Sequence, residues 1–382
     1  MARVKAALAR MGLITASLAA AVLVSEGLMR LAAPYFGLVE PYYLFIGREW
    51  YDKQVIAPDE VFYYRWAPNT TFAFDGPEFQ TKYTTNRFGF RGTAFDQCGD
   101  RQRIFLIGDS MVAAPHMSDG LTAADVLQAL LTKADLPYCV NNLGVSSYAG
   151  VQYFNEVRVY GEQWRPAIVV VALFHNDFFT DVGFDGLPKA THDNAGLVVA
   201  TSPIALQNFP TVDGFERWYV YWFLNRSLET IQIATGRKPP PAVYPFGSEL
   251  FKPGAETVMD VTFRHMAAAA KLVEGWGGRF LLSAFPIPNQ VGPGQINLGY
   301  HSTGVITADF EPRRDFPDNV ARKASQYGVE YFDMLSPLRA RAQAGARLFL
   351  KIDGHLGVEG NREFGQLLFK ELSGRGLLRK RP

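Results

Sequence analysis

The sequence is poor in cysteine and carries almost no net charge. Its 382 residues include two cysteines, Cys98 and Cys139, whose spacing does not fit a metal-binding motif. Lys and Arg number 38 against 37 Asp and Glu, so the clustered basic charge typical of nucleic-acid binding is missing. Internal repeats and low-complexity tracts are also missing. These absences argue against a domain with a structural zinc site, a nucleic-acid-binding protein and a repeat protein.

An apolar run stands near the N-terminus. Arg3, Lys5 and Arg10 precede the apolar segment 11–24, an order typical of secretory signals and signal anchors. The strictly apolar part is shorter than the roughly 20 residues that a bilayer span needs. It extends to Leu31 only by including polar residues.

No small-residue cleavage site follows the run directly, which favours an uncleaved anchor over residues 1–32. A cleaved signal and a buried helix of a soluble protein remain alternatives. The flanking positive charges favour a cytoplasmic N-terminus with the remainder outside. The sequence therefore predicts a single-pass membrane protein whose remaining residues are periplasmic or extracellular.

The rest of the chain divides into a leader and a main domain. Residues 33–100 are punctuated by proline and indicate an irregular, strand-containing leader that packs on the core. Apolar runs and helical patterns alternate over residues 101–382, with an insertion at about 178–255. The predicted strands are 104–107, 140–144, 168–174, 279–284 and 329–333, and the predicted helices between and after them are 121–133, 151–160, 255–276, 319–327 and 360–372.

This alternation predicts an α/β fold. Right-handed crossovers favour a flavodoxin-like three-layer sandwich whose five parallel strands lie in the order 2-1-3-4-5. Cys98 and Cys139 precede the first two strands, so both are expected at the amino-terminal edge of the sheet. A disulfide between them would suit an oxidising compartment. Two buried free thiols are the alternative.

The first predicted strand of the main domain, 104–107, is followed by the tripeptide Gly108-Asp109-Ser110. A buried parallel strand that ends in this way delivers a serine to the carboxyl edge of the sheet, where α/β folds place their sites. A serine hydroxyl is a weak nucleophile until a neighbouring base activates it. The bland interpretation is an ordinary turn, with Asp109 or Ser110 capping the next helix.

His355 is the candidate base among six histidines. It follows the last predicted strand and is expected at the same edge as Ser110, with Asp353 two residues earlier to orient its imidazole. His175 ends a neighbouring strand and is a weaker alternative. His116 follows Ser110 too closely to fold back easily onto its hydroxyl. The bland interpretation of Asp-Gly-His is a solvent-exposed turn.

Acyl transfer also needs hydrogen-bond donors for the developing oxyanion. Three candidates follow neighbouring strands: the backbone N–H of Ser110, the backbone N–H of Gly144 and the side-chain amide of Asn176. Turns and helix caps are the structural alternatives for each. Their shared position at one predicted edge favours a joint function.

The chain resembles the SGNH, or GDSL-type, hydrolase superfamily over roughly residues 86–372. Four segments carry the resemblance in family order: Gly108-Asp109-Ser110, Asn142-Leu143-Gly144-Val145, Phe174-His175-Asn176-Asp177 and Asp353-Gly354-His355. It implies Ser110 as the nucleophile, Asp353 and His355 as acid and base, and Ser110, Gly144 and Asn176 as the oxyanion hole. The leader segment 86–91 and the N-terminal anchor are similar to a bacterial membrane-anchored subgroup.

Two departures from the family pattern stand out. Phe174 occupies a position where the family usually has glycine. Asp353 and His355 are two residues apart where the family usually spaces them three apart. The shorter spacing is similar to that of bacterial polysaccharide O-acetyltransferases, although in those enzymes the pair precedes the serine.

The resulting hypothesis is an envelope-located serine esterase or O-acyltransferase that acts on acyl esters of a glycan through an acyl-enzyme on Ser110. It implies no metal, no cofactor and no nucleic-acid partner. The alternatives are a non-catalytic glycan-binding or assembly protein with the same fold, and a lipid esterase.

Overall fold

The computed structural model describes residues 2–36, 56–75, 78–178, 180–181, 190–201, 203, 218–235, 237, 256–295, 314–350 and 354–380. The chain forms two compact units. The first combines Met1–Lys53 with Gln207–Tyr244, and the second combines Gln54–Leu206 with Pro245–Pro382.

The described helices are α1 Ala2–Phe36, α2 Ser110–Ala113, α3 Ala123–Lys133, α4 Gly150–Glu156, α5 Tyr219–Ala234, α6 Glu256–Gly275, α7 Pro288–Val291, α8 Asp315–Gln326, α9 Leu335–Gln343 and α10 Val358–Gly374. The strands are β1 Ile56–Asp59, β2 Tyr63–Trp66, β3 Thr71–Asp75, β4 Gln80–Thr84, β5 Gln102–Gly108, β6 Tyr138–Asn142, β7 Ile168–Leu173, β8 Thr191–His192, β9 Val198–Ala200 and β10 Arg279–Ala284. A π-helical turn, Val157–Gly161, continues α4 and leads into a further short α-helical segment, Glu162–Trp164. Two 3-10 helices are also described, Phe95–Cys98 and Pro293–Gln295.

The first unit contains α1 and α5. Within α1, the segment Val4–Ala32 spans 29 residues and includes an 18-residue stretch with a mean hydropathy of 1.9, so it is long and apolar enough to cross a membrane. The two helices meet near the end of α1, where the side chain of Glu26 accepts a hydrogen bond from the Val220 backbone N–H at 3.0 Å. Glu26 also pairs with Arg30 at 2.8 Å.

The second unit is built on a parallel sheet in the order β10-β7-β5-β6. Ile104 of β5 pairs with Val140 of β6 on one side and with Ile168 of β7 on the other. Every residue of β7 is buried, because parallel strands between helical layers are covered on both faces. The predicted α/β fold is confirmed, and the observed strands stand in the predicted relative order.

Helices cover both faces of this sheet. Leu106 faces the layer of α3 and α10 and shares a buried cluster with Leu127 and Phe364. Phe105, the next residue along β5, faces the opposite layer and lies 5.1 Å from the ring of Phe95. Full burial of each such side chain contributes about 1.5–3 kcal/mol to folding.

The fifth predicted strand, 329–333, is reduced to a single bridge. Tyr331 pairs in parallel with Leu282 of β10, in the expected fifth position, but no longer ladder forms. Gly328 stands immediately before the segment at φ +70°. At its other end, the Asp333 carboxylate accepts a hydrogen bond from the Leu335 N–H at 3.0 Å and so begins α9.

Residues 33–36 of the predicted leader belong to α1, whereas its described residues from Ile56 on pack against the sheet as part of the second unit. Its strands form two antiparallel pairs, β1 with β2 and β3 with β4. Arg91 then forms an antiparallel bridge with Asn142, the last residue of β6. Cys98 and Cys139 form a disulfide that closes a separation of 41 residues. The leader is therefore joined to the sheet by backbone pairing and by a covalent bond.

Glu156 ends α4 as a fully buried carboxyl group. Neither of its oxygens has a hydrogen-bond partner among the described residues. Because burial disfavours the charged form, the pKa of Glu156 is raised well above its usual value. The folded state therefore holds this proton more tightly than the unfolded chain does.

We expect the free energy of unfolding to fall as the pH rises above the ordinary range of a carboxyl group. The slope should reach about 1.4 kcal/mol per pH unit until Glu156 ionises or the protein unfolds. Glu156→Gln removes this titration, so its stability advantage over the wild type should grow between about pH 5 and pH 8. Urea unfolding across this range measures the effect, with the exposed Glu162→Gln as control. The expectation would be contradicted if the free energies of unfolding of wild type and Glu156→Gln changed in parallel with pH.

Candidate active site

Ser110 stands at the carboxyl end of the central strand β5. Asp109 caps α2 through its side chain, which accepts a hydrogen bond from the Met111 N–H at 2.9 Å. A Cβ atom at Gly108 would lie 2.5 Å from the Val112 side chain and 2.9 Å from the Ala172 carbonyl oxygen. The close packing of this turn thus requires glycine before the Asp-Ser pair.

His355 reaches the Ser110 hydroxyl from a loop 245 residues away in sequence. The distance from its Nε2 to Ser110 Oγ is 2.7 Å. The loop is closed by two backbone hydrogen bonds, from Leu350 N–H to the His355 carbonyl at 2.9 Å and from Gly357 N–H to the Leu348 carbonyl at 2.8 Å. A serine hydroxyl within hydrogen-bond distance of an imidazole nitrogen is the arrangement that general-base activation requires.

Asn361, fully buried in the first turns of α10, connects the His355 loop to α3. Its side-chain amide donates to the carbonyls of Leu356 and Gly357 at 3.2 and 3.1 Å. Its side-chain oxygen accepts from the Ala123 N–H at 3.2 Å. Each side-chain polar atom of Asn361 therefore helps to fix the loop that carries the imidazole. Asp353, the predicted orienting carboxylate, lies outside the described residues.

Asp109 places a carboxyl group beside the Ser110 hydroxyl, with 3.5 Å between Oγ and Oδ2. Burial raises the pKa of Asp109 to about 6, while the Met111 N–H and the positive charge of His355 act in the opposite direction. Near neutral pH this carboxyl group is mostly ionised.

Gly144 lies where the sequence predicts it, after β6, but its N–H is already engaged. It donates to the side-chain oxygen of Asn142 at 2.9 Å. Asn142 in turn donates from its side-chain amide to the Val112 carbonyl at 3.1 Å. The Gly144 N–H thus has an acceptor within the protein, and its role at an oxyanion stays a prediction. A Cβ atom at Gly144 would lie 2.2 Å from the Ala113 nitrogen, so glycine serves close packing there.

The two other predicted oxyanion donors remain available in this geometry. No described group accepts a hydrogen bond from the Ser110 backbone N–H. Asn176 is half-buried just beyond β7, the strand that pairs with β5 through Ala172 and Gly108. The buried Asp177 carboxylate shapes this turn by accepting a hydrogen bond from the Phe174 N–H at 2.9 Å.

The other histidines occupy different environments. His175 is buried, and desolvation lowers its pKa to about 3, while the Ser110 hydroxyl lies against His355 instead. His116 was excluded on sequence grounds because of its closeness to Ser110. Its ring nevertheless lies 4.4 Å from that of His355, centroid to centroid. No sequence pattern indicates this contact, because it depends on how the loop after α2 turns.

Within the described residues, no group of three or more His, Cys, Asp and Glu side chains is arranged to hold a metal ion. The site as described consists of a serine, an imidazole and hydrogen-bond donors. Such a set supports nucleophilic and acid–base chemistry by its own side chains.

No protein-family model matches this sequence, and no curated protein matches it. Solved structures are similar to it over most of the chain. A putative GDSL-like lipase from Parabacteroides merdae is 12% identical, with a TM-score of 0.38, over 72% of this chain and 95% of that one. The psychrotrophic esterase EstA from Pseudoalteromonas sp. is 12% identical, with a TM-score of 0.39, over 72% and 98%.

A third similar structure is a catalytic mutant of Axe2, an acetylxylan esterase from Geobacillus stearothermophilus. It is 11% identical, with a TM-score of 0.39, over 73% of this chain and 97% of that one. The chain is thus similar to GDSL-type lipolytic and esterase structures at low sequence identity. The chemistry of its own site follows from the residues described above.

Gly144→Ala provides a test of the packing at the turn. The added methyl group would lie 2.2 Å from backbone nitrogen, which cannot move without displacing α2. We expect a loss of at least about 1–3 kcal/mol in the free energy of unfolding. Denaturant unfolding measures it, with Gly275→Ala as the matched control because nothing lies within 4 Å of its Cβ position. Equal stability of the two variants would contradict the packing described here.

Proposed function

We propose that the protein is an envelope-located serine esterase or O-acyltransferase that acts on acyl esters of a glycan. The observation that carries the proposal is the 2.7 Å contact between His355 Nε2 and Ser110 Oγ. It supports an enzyme over a non-catalytic binding or assembly protein, because binding alone does not require an imidazole at a serine hydroxyl.

In the proposed reaction, the Ser110 oxygen attacks the ester carbonyl carbon while His355 Nε2 takes the hydroxyl proton. The carbonyl electron pair moves onto oxygen and gives a tetrahedral oxyanion. The Ser110 N–H and the Asn176 side-chain amide are the proposed donors to it. When the intermediate collapses, the bond to the leaving alcohol breaks and His355 returns the proton to that alcohol, which leaves an acyl-enzyme on Ser110.

Asp353 is proposed to orient the His355 imidazole and to stabilise its protonated form. Asp109 adds a second negative charge near the same imidazole, since its side chain lies beside Ser110. Gly144 N–H is the third proposed donor, and in this step it exchanges its hydrogen bond to the Asn142 side chain for one to the oxyanion.

The second half of the reaction decides between hydrolysis and transfer. Water attacking the acyl-enzyme completes an esterase cycle, whereas an alcohol of an acceptor glycan completes an O-acyl transfer. To distinguish the two reactions, the purified protein is incubated with acetylated glycans, with and without an acceptor sugar. Release of free acid indicates hydrolysis, and formation of acylated acceptor indicates transfer. Turnover confined to long-chain lipid esters would instead support a lipid esterase.

A fluorophosphonate probe tests the nucleophile directly. Full-length protein in detergent should be labelled at Ser110, and Ser110→Ala should lose labelling and turnover of a short-chain aryl ester by at least about a thousandfold. Mass spectrometry locates the label, and the exposed Ser373→Ala is the matched control. Labelling at another residue, or persistent turnover in folded Ser110→Ala, would remove Ser110 from the mechanism.

We also propose that α1 anchors the protein in the bacterial inner membrane with the second unit outside the cytoplasm. The length and hydropathy of Val4–Ala32 support the anchor, and the charges of Arg3, Lys5 and Arg10 support the orientation. The disulfide Cys98–Cys139 supports an oxidising compartment.

Membrane fractionation and protease treatment of spheroplasts test this location. The full chain should stay with membranes after carbonate extraction, and external protease should reach the second unit. Leu18→Arg is the variant in which anchoring should weaken, because a central arginine raises the free energy of membrane insertion by about 2.5–3.5 kcal/mol. Recovery of the wild type in the soluble fraction, or protection of the second unit in spheroplasts, would contradict the proposal.

A further inference from the structure

We propose that His116 is a positioning residue that holds the plane of the His355 imidazole at Ser110. This inference rests on the proposed function, since it concerns the base of that reaction. In this inference, the loop after α2 restrains the His355 imidazole through the ring of His116.

The rings of His116 and His355 pack against each other at a tilt. Their centroids are 4.4 Å apart, with an interplanar angle of 34°. The ring of Phe79 also contacts His116, in an edge arrangement with the centroids 4.7 Å apart and the planes at 88°. His116 is only 3% exposed. The imidazole of His355 thus lies against a buried ring that has a second aromatic neighbour.

The chain around His116 is fixed by residues of the leader. The buried guanidinium of Arg91 donates to the carbonyls of Ala113 and Ala114, which precede His116. The Thr81 hydroxyl donates to the carbonyl of Pro115 at 3.3 Å. These bonds hold the backbone immediately before His116 in place.

The chain beyond His116 is bound to β4 of the leader. The Lys82 N–H donates to the Ser118 side chain at 3.2 Å, and the Asp119 N–H donates to the Lys82 carbonyl at 3.3 Å. The Asp119 carboxylate accepts from the Thr84 N–H at 3.0 Å. The loop is therefore secured on both sides of His116.

A positioned base needs more than its hydrogen bond to the nucleophile. That bond fixes the position of one nitrogen of His355, and a flat neighbour restrains the tilt of the ring plane. Misplacement of a reacting group by about 1 Å can cost on the order of a hundredfold in rate. A ring at a centroid distance of 4.4 Å supplies such a restraint.

Three substitutions separate ring stacking from space filling. His116→Phe keeps a flat ring, His116→Leu fills the space without one, and His116→Ala leaves a gap. We expect kcat to fall about tenfold or more in the Leu and Ala variants with KM nearly unchanged, and to recover to within about threefold in the Phe variant. His192→Ala, at an exposed histidine of β8, is the control for histidine loss elsewhere.

The outcomes distinguish this inference from the proposed function. Fluorophosphonate labelling of wild-type Ser110 tests the nucleophile independently of His116. With labelling intact, wild-type kcat in folded His116→Ala or His116→Leu would overturn the positioning role. Equal losses in Phe, Leu and Ala variants would also overturn it, because they would show that the ring face does not matter. Thermal unfolding of each variant establishes that it is folded.

Discussion

The pairing of β5 with both β6 and β7 is the constraint on which the rest of the second unit depends. Because β5 is central and parallel to both neighbours, its carboxyl end brings Ser110 to the middle of the sheet edge. The same register sets Gly108 opposite Ala172, so the loop carrying Asn176 follows the adjacent strand. The turn after β5 is packed too closely for a side chain at Gly108 or Gly144. The position of the nucleophile is therefore a result of strand register and backbone packing.

Apolar patterning predicted much of this architecture because parallel strands are buried on both faces. The run before Gly108 is short and the run ending at Phe174 is longer, but both are uninterrupted, and the corresponding strands form as expected. The segment around Tyr331 is different, because the start of α9 competes for its end and leaves one bridge. The apolar pattern of a sequence indicates which residues of a segment are buried. It does not indicate where the cap of the following helix begins.

The site was only partly predictable for a related reason. Strand ends give the approximate location of Ser110 and His355, and these two residues meet. They do not reveal competing local hydrogen bonds, such as the one from Gly144 N–H to the Asn142 side chain. His116 was missed because sequence proximity to Ser110 is a poor guide once Ala114 adopts φ +46° and redirects the chain. Its surroundings come from the leader, and no local pattern encodes such long-range contacts.

The separation of 245 residues between Ser110 and His355 has a consequence for biosynthesis. The nucleophile leaves the ribosome long before its base, and Asn361 in α10 is needed to tie the base's loop to α3. A nascent chain can therefore assemble most of its sheet while its serine still lacks an imidazole partner. The serine–imidazole pair can therefore form only after α10 has been synthesised and has packed against α3.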